Sequence, residues 1–252
     1  MKETTEILLT QNLKELKLTT IIKNMNKLKS QALENKWSYD EYLLELTQRE
    51  LEVRSDNRLK RRLREAKFPL MKTLDSYDYE AAPNLNVGLI QDLKRCEYIN
   101  QKRNVIFLGK SGTGKTHLST GLGVEACRQG LRTRFVTGPG LANELIESSD
   151  DKILSRTIQK YARYSLLIID ELGYVPFSKQ GAELLFQIFA ERYERGSLII
   201  TSNLGFADWI RIFGDATLTT ALLDRLTHKA HIITCDWDSY RLKETLKSKH
   251  KI

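Results

Sequence analysis

The 252-residue chain has only three cysteines, Cys96, Cys127 and Cys235, far apart and odd in number. They supply neither a disulfide framework nor a metal-ligand spacing, and they read as ordinary thiols in a reducing compartment. No apolar run approaches the ~18 residues a membrane-spanning helix needs. The opening Met1-Lys2-Glu3-Thr4-Thr5-Glu6 is polar and partly acidic, unlike a secretion signal. A cytoplasmic protein with no membrane partner is expected. The four histidines (His117, His228, His231, His250) make no zinc-like set, and no Ser/His/Asp or Cys/His arrangement stands out. Internal repeats and low-complexity segments are absent. Acidic residues are in deficit, 32 against 40 Lys and Arg, which leaves a net charge of +8 and a pI near 9.3. That balance points to a polyanionic partner, nucleic acid first, although a basic surface can also serve solubility. With 41% hydrophobic and 29% charged residues the chain can build a globular core.

Neither glycine nor proline occurs before Pro69. Residues 1 to about 67 are helical by pattern, a small domain of short amphipathic helices ahead of a second domain over 68–252. Leu9, Leu13 and Leu16 fall on one helical face, as do Met25, Leu28 and Ala32. Ser38 and Glu41 make a capping box that opens a helix carrying Leu43, Leu46, Glu50 and Leu51. The run from Arg58 to Lys67 is the most basic in the chain. On a helix Leu59, Leu63 and Ala66 form an apolar stripe, while Arg58, Lys60, Arg61, Arg62, Arg64 and Lys67 cover the rest with only Glu65 opposing them. Such a face suits nucleic-acid phosphates; a solvated helix face is the plainer alternative.

The rest of the chain is organised around Gly109-Lys110-Ser111-Gly112-Thr113-Gly114-Lys115-Thr116, which follows the apolar Val105-Ile106-Phe107-Leu108 and precedes a helical pattern with Leu118, Leu122 and Ala126. Strand, glycine loop and helix are the context of a phosphate-binding P-loop. The glycines let successive N–H groups converge on one phosphate, and the helix adds its positive end. Lys115 can reach the β- and γ-phosphates of ATP, and the Thr116 hydroxyl can ligate Mg²⁺. His117, just inside the helix, belongs to this nucleotide-binding stretch, though packing suits it better than catalysis. Beyond the loop, apolar runs at 134–137, 165–170, 197–203 and 230–234 alternate with helical patterns at 140–148, 153–164, 182–195 and 216–227. This predicts an α/β fold, a parallel sheet flanked by helices.

In parallel sheets ligands gather at the carboxyl ends of strands. Leu166-Leu167-Ile168-Ile169-Asp170 therefore delivers Asp170 beside the P-loop to hold Mg²⁺, directly or through water, and Glu171 next to it can polarise an attacking water. An acidic pair after a strand can also be a turn or helix cap. Asn203, ending the next apolar run, can bond the water or γ-phosphate, or can simply form a turn before Gly205. Arg225, in Leu222-Leu223-Asp224-Arg225-Leu226, can reach a neighbouring subunit's γ-phosphate or pair with an acid such as Asp224. Arg241 can reach phosphate in its own subunit or lie solvated among Lys243, Lys247 and Lys249.

Together with the P-loop, the segments Asp170-Glu171-Leu172-Gly173-Tyr174-Val175-Pro176, Ala190–Arg195, Thr201-Ser202-Asn203, Ala221–His228 and Ser239–Lys243 resemble the IstB proteins. These are ATP-binding transposition helpers of insertion sequences, related to the helicase loaders DnaC and DnaI. The likeness covers roughly residues 65 to 247, and Phe68-Pro69 with Lys72–Tyr77 resembles that family's opening segment, near the adenine. It implies an AAA+ ATPase with nucleotide bound between subunits of a homo-oligomer. Lys115 and Thr116 match Walker A, Asp170 and Glu171 Walker B, Asn203 sensor 1, Arg225 the trans-acting arginine finger and Arg241 sensor 2. The resemblance also implies that the N-terminal helices engage DNA or a partner transposase, with ATP-driven assembly on duplex DNA. One departure is Asp236-Trp237-Asp238, where many IstB proteins carry a Gly-Glu pair. A helicase loader that prefers single-stranded DNA is the alternative within this relationship.

Overall fold

The structure, a computed structural model, describes residues 2–240, with side chains from residue 4 onward. The chain divides into two compact units, residues 1–61 and 62–252.

The first unit contains α1 (Lys2–Glu15), α2 (Thr19–Glu34) and the beginning of α3 (Tyr39–Ala66). Its core is small: Leu13, Ile21, Met25, Leu28 and Leu46, with Leu18, Ile22, Trp37 and Tyr42 packed against them. The stripe expected on α1 is only one-third buried, since Leu9 and Leu16 are 46% and 66% exposed. Likewise Leu46 and Glu50 are buried on α3 while Leu43 and Leu51 are exposed. Ser38 N–H donates to Glu41 Oε2 (2.7 Å) and Glu41 N–H to Ser38 Oγ (3.2 Å), the expected capping box.

With no glycine to turn the chain, lysines end the first two helices. Lys17 (φ +57°) and Lys36 (φ +53°) take the left-handed conformation. Leu18 N–H donates back to Leu13 O (2.8 Å) and Trp37 N–H to Ala32 O (2.9 Å), closing Schellman-type turns. The residue after each lysine, Leu18 or Trp37, then packs on the core, which compensates the strain of a side chain at positive φ. The start of α2 has no local cap. Glu50 on α3 supplies one, accepting from Thr20 N–H (2.8 Å) and Ile21 N–H (3.2 Å) while Arg54 Nε donates to its other oxygen (2.8 Å). Burial alone would raise the Glu50 pKa; Arg54 and the two N–H groups outweigh it and hold it below its ordinary value. α3, 28 residues long, is longer than the short helices expected, because no residue from 39 to 66 breaks it.

The second unit is built on a five-stranded parallel sheet. A 3₁₀ turn (Leu74–Ser76) and α4 (Val87–Lys94) and α5 (Glu97–Asn100) precede it, the last two separated by Cys96 at φ +59°. There follow β1 (Asn104–Gly109), α6 (Lys115–Arg128), β2 (Thr133–Thr137), α7 (Gly138–Asp150), α8 (Leu154–Ala162), β3 (Leu166–Asp170), α9 (Lys179–Arg192), β4 (Ser197–Ser202), α10 (Trp209–Phe213), α11 (Ala216–Thr227) and β5 (Ala230–Cys235). The strand order is β2-β3-β4-β1-β5, so β4 is inserted between β1 and β3. One core cluster includes Leu118, Leu122 and Phe135; the other includes Leu185, Ile188 and Trp209. β3 is buried along its whole length, as its unbroken apolar run predicts. α10 is a single turn too short to show periodicity, yet Trp209, Ile212 and Phe213 are all buried. Arg192 is buried too, donating to Tyr161 O (2.7 Å), Tyr164 O (2.9 Å) and Ser197 O (2.9 Å), and burial brings its pKa down to about 10.

Candidate functional site

The order β3-β4-β1 brings three strand ends together. Gly109 closes β1 and opens the P-loop, Asp170 closes β3, and β4 runs out between them through Thr201 and Ser202 to Asn203. The glycines of the loop are demanded by space. A Cβ on Gly109 (φ +148°) would lie 2.0 Å from Cys235 O, and one on Gly114 (φ +88°) would strike the Tyr77 ring at 2.8 Å.

The loop's carbonyls at Gly109, Lys110, Gly112 and Thr113 are engaged. Lys115 Nζ donates to Gly109 O (2.6 Å) and Lys110 O (2.7 Å), and Thr113 Oγ1 also donates to Lys110 O (2.9 Å). Tyr240 N–H donates to Gly112 O (3.0 Å). Thr113 O accepts from Trp237 Nε1 (3.0 Å) and Tyr77 OH (3.3 Å). Ser111 sits exposed in the turn. Carbonyls tied on one side leave the loop's N–H groups as the side offered to an anion, at the start of α6. The departure at 236–238 thus has a structural use: the Trp237 indole braces the loop. Tyr77 and Trp237 were not singled out individually from the sequence; an aromatic on each flank of the motif was the available signal.

His117 turns away from the loop. Its Nε2 lies 2.9 Å from Thr73 O and 3.2 Å from Ser76 Oγ, and its ring meets Tyr77 edge-on at 5.2 Å. Contact with a carbonyl oxygen makes Nε2 the protonated nitrogen, so this side chain fastens the 73–77 segment to α6. Burial lowers its pKa.

Asp170, 4% exposed, accepts from Thr116 Oγ1 at both oxygens (3.1 and 3.0 Å) and from Thr201 Oγ1 at Oδ1 (2.5 Å). Burial raises its pKa; the Thr201 and Thr116 hydroxyls and the charge of Lys115 work against that rise. A buried carboxylate beside a threonine hydroxyl is a donor set that fits a hard divalent cation bringing phosphate and water oxygens of its own. Among the described residues no three His, Cys, Asp or Glu cluster as a self-sufficient metal cage. Glu171 follows at φ +57°, its side chain exposed at the sheet's edge, and Asn203 is exposed there as well.

Arg225 lies elsewhere. Asn104, the first residue of β1, donates Nδ2 to Leu226 O at 3.0 Å. This ties the end of α11 to the amino ends of the strands, the opposite edge from the P-loop. The Arg225 guanidinium rests over the Phe186 ring, 4.8 Å from its centroid, with Nη1 3.5 Å from Ala221 O; among the described residues no acid pairs with it. Arg241 lies outside the described residues. Of the basic set, Arg58, Lys60, Arg61, Arg64 and Lys67 are exposed. Arg62 is partly buried, donating Nε to Gly130 O (3.1 Å) and Nη1 to Glu65 Oε2 (3.0 Å). No helix among the described residues is long and apolar enough to cross a membrane.

Comparison with known proteins agrees with this geometry. The family described as IstB-like ATP binding protein matches residues 11–248. The chain is 36% identical over 236 residues to the insertion sequence IS232 putative ATP-binding protein of Bacillus thuringiensis subsp. berliner, covering 94% of each chain. It is also 36% identical over 236 residues to the insertion sequence IS21 putative ATP-binding protein of Pseudomonas aeruginosa, covering 94% of this chain and 89% of that one. Among solved structures, AMPPCP-bound DnaA from Aquifex aeolicus shares the fold with a TM-score of 0.58 at 17% identity, over 74% of this chain and 57% of that one. DnaI does so with a TM-score of 0.54 at 16% identity, over 67% and 89%. Family match, site chemistry and strand order agree: the chain belongs to the IstB-like ATP-binding proteins and is an ATPase of the AAA+ P-loop fold.

Proposed function

We propose that this protein assembles on duplex DNA with ATP and serves a partner transposase in choosing a target during transposition. The names of its insertion-sequence relatives support the transposition setting. The observation that carries the reading is the position of Arg225 at the sheet edge opposite its own P-loop. A guanidinium there that no acid pairs with among the described residues is suited to completing a neighbour's nucleotide site.

On this reading the loop N–H groups of residues 109–116 and the Lys115 ammonium bind the phosphates. Thr116 and Asp170 would hold Mg²⁺, which when bound neutralises charge on the β- and γ-phosphates. Glu171 orients water and takes its proton, Asn203 bonds the water or γ-phosphate, and Arg241 supports phosphate within the subunit. Arg225 of the adjacent subunit stabilises the charge that develops in transfer. Hydrolysis then loosens the contact between subunits and releases DNA. Arg58, Lys60, Arg61, Arg64 and Lys67 meet DNA phosphates; Arg62, bonded to Gly130 O and Glu65, contributes less.

Fluorescence anisotropy of labelled duplex and single-stranded DNA of equal length, with and without ATP, tests this. Duplex binding that requires ATP is expected, with a salt slope that becomes shallower by about one per phosphate contact when Arg61 or Arg64 is replaced. A preference for single strands, or no binding in any state, overturns the reading.

A further inference from the structure

Thr201 has no role in the nucleotide chemistry described above, yet it sits where the two acids meet. β4 lies beside β3 with Ile169 opposite Ile200, so the next residues along, Asp170 and Thr201, are neighbours at the carboxyl edge. Thr201 is 1% exposed. Its hydroxyl makes two bonds at once: to Asp170 Oδ1 at 2.5 Å and from Glu171 N–H at 3.0 Å. Its own C=O accepts Leu172 N–H at 2.9 Å. An ionised carboxylate can only accept, so the hydroxyl proton goes to Asp170 and its lone pair faces Glu171 N–H. The bonds therefore form a directed chain, Glu171 N–H to Thr201 O–H to Asp170.

This chain ends on a strained residue. Glu171 is held at φ +57°, a conformation unfavourable for a non-glycine residue, and such strain persists only where surroundings enforce it. The bonds from 171 N–H and 172 N–H to one residue of β4 are that enforcement. They fix where the backbone turns out of β3, and hence where the Glu171 side chain starts.

We infer that Thr201 is a positioning residue for ATP hydrolysis: its hydroxyl sets Glu171 in register with Asp170, so that the base stands at a fixed place relative to the metal-binding carboxylate. The inference rests on the proposed role of Glu171 as the base. Thr201 touches neither nucleotide nor water in this scheme; it acts through its two neighbours. Serine retains both bonds, whereas valine keeps the shape and loses both.

Steady-state ATPase rates and ATP affinity are measured for Thr201→Val, Thr201→Ser, Glu171→Gln and the Thr201→Val/Glu171→Gln pair in the full chain. For the valine variant kcat falls about 10- to 100-fold while ATP affinity stays within about threefold, the signature of a misplaced group rather than a lost binding contact. The serine variant recovers kcat to within about threefold, and the double variant is no slower than Glu171→Gln alone. Should the valine protein fail to fold, Thr201→Ala removes the same hydroxyl without setting a methyl against the carboxylate. Full kcat in whichever variant folds overturns the inference, as does a loss in the double variant that simply adds, while an inactive Glu171→Gln protein leaves the base assignment intact. Full turnover by Glu171→Gln sinks the base assignment itself, and the positioning role with it.

Discussion

The separation of Arg225 from its own P-loop can be turned into a number. β1 has six residues, so its ends lie about 16–20 Å apart at ~3.3 Å per residue. Arg225 is tied to one end through Leu226 and Asn104, and the P-loop grows from the other, out of reach of one arginine side chain. If each active site combines Lys115 of one subunit with Arg225 of the next, Lys115→Ala and Arg225→Ala proteins are each inactive, by about 10³-fold or more for the arginine. Mixed in equal amounts, they complement. A site is intact when its own subunit carries the arginine change and its neighbour the lysine change, which random co-assembly across a head-to-tail interface produces at about one interface in four. The mixture should hydrolyse ATP at about 25% of the wild-type rate. Mixing the Lys115→Ala/Arg225→Ala double variant with wild type should also give about 25%, because both subunits at an interface must then be intact. A site built within one subunit makes opposite predictions: no activity in the first mixture and about 50% in the second. A phosphate-release assay on the two mixtures at constant total protein reads these outcomes, and the zero-and-half result refutes the geometric argument.

Glu50→Ala strips the cap from α2 and leaves the Thr20 and Ile21 N–H groups without a protein acceptor, at a cost of about 1–3 kcal/mol; amide exchange at these positions in the full chain should speed accordingly, and unchanged protection would show that the carboxylate does not hold these N–H groups. Lys36→Gly removes the strain of positive φ and should stabilise the first unit by up to about 1 kcal/mol in chemical denaturation, whereas a loss of stability would mean that the lysine stem contributes packing. His117 has a folded pKa below its ordinary 6.5, so the unfolded chain binds the proton more readily. Its contribution to stability is therefore intact above pH 6.5 and is lost as pH falls below that value. Wild type should lose more melting temperature than His117→Gln between pH 8 and pH 5.5, and equal losses would place the effect on other groups.

The parts of the site that lie within one stretch of chain are legible in the sequence. Gly109–Thr116 carries its own signature, and Asp170-Glu171 announces itself by ending a wholly apolar run. What escaped was chemistry joined across distance. Glu50 looked like one more position on α3, because nothing near Thr19 shows that α2 borrows its cap from 30 residues away. Thr201 stands in the sequence only as the first residue of Thr201-Ser202-Asn203, because its partners Asp170 and Glu171 become neighbours only when β4 inserts beside β3. Leu9 and Leu16 had the spacing of a core stripe but stay exposed, since periodicity identifies a face without saying what covers it. The endings at Lys17 and Lys36 were silent because a left-handed turn is usually signalled by glycine, and here the packing of Leu18 and Trp37 performs that task.

The placement of Arg225 and the P-loop on opposite sheet edges also has a directional consequence. An assembly joined through these two features is polar, like a row of people each with a hand on the shoulder ahead. Unless it closes on itself, its leading and trailing subunits differ: one has a nucleotide site with no visiting arginine, the other an arginine with nothing to visit. If Arg225 acts on its neighbour's site as proposed, turnover at the deficient end would be slow, and ATP would persist longest where the row lacks a neighbour. Two identical ends could not tell a passing partner which way the assembly runs; these two can.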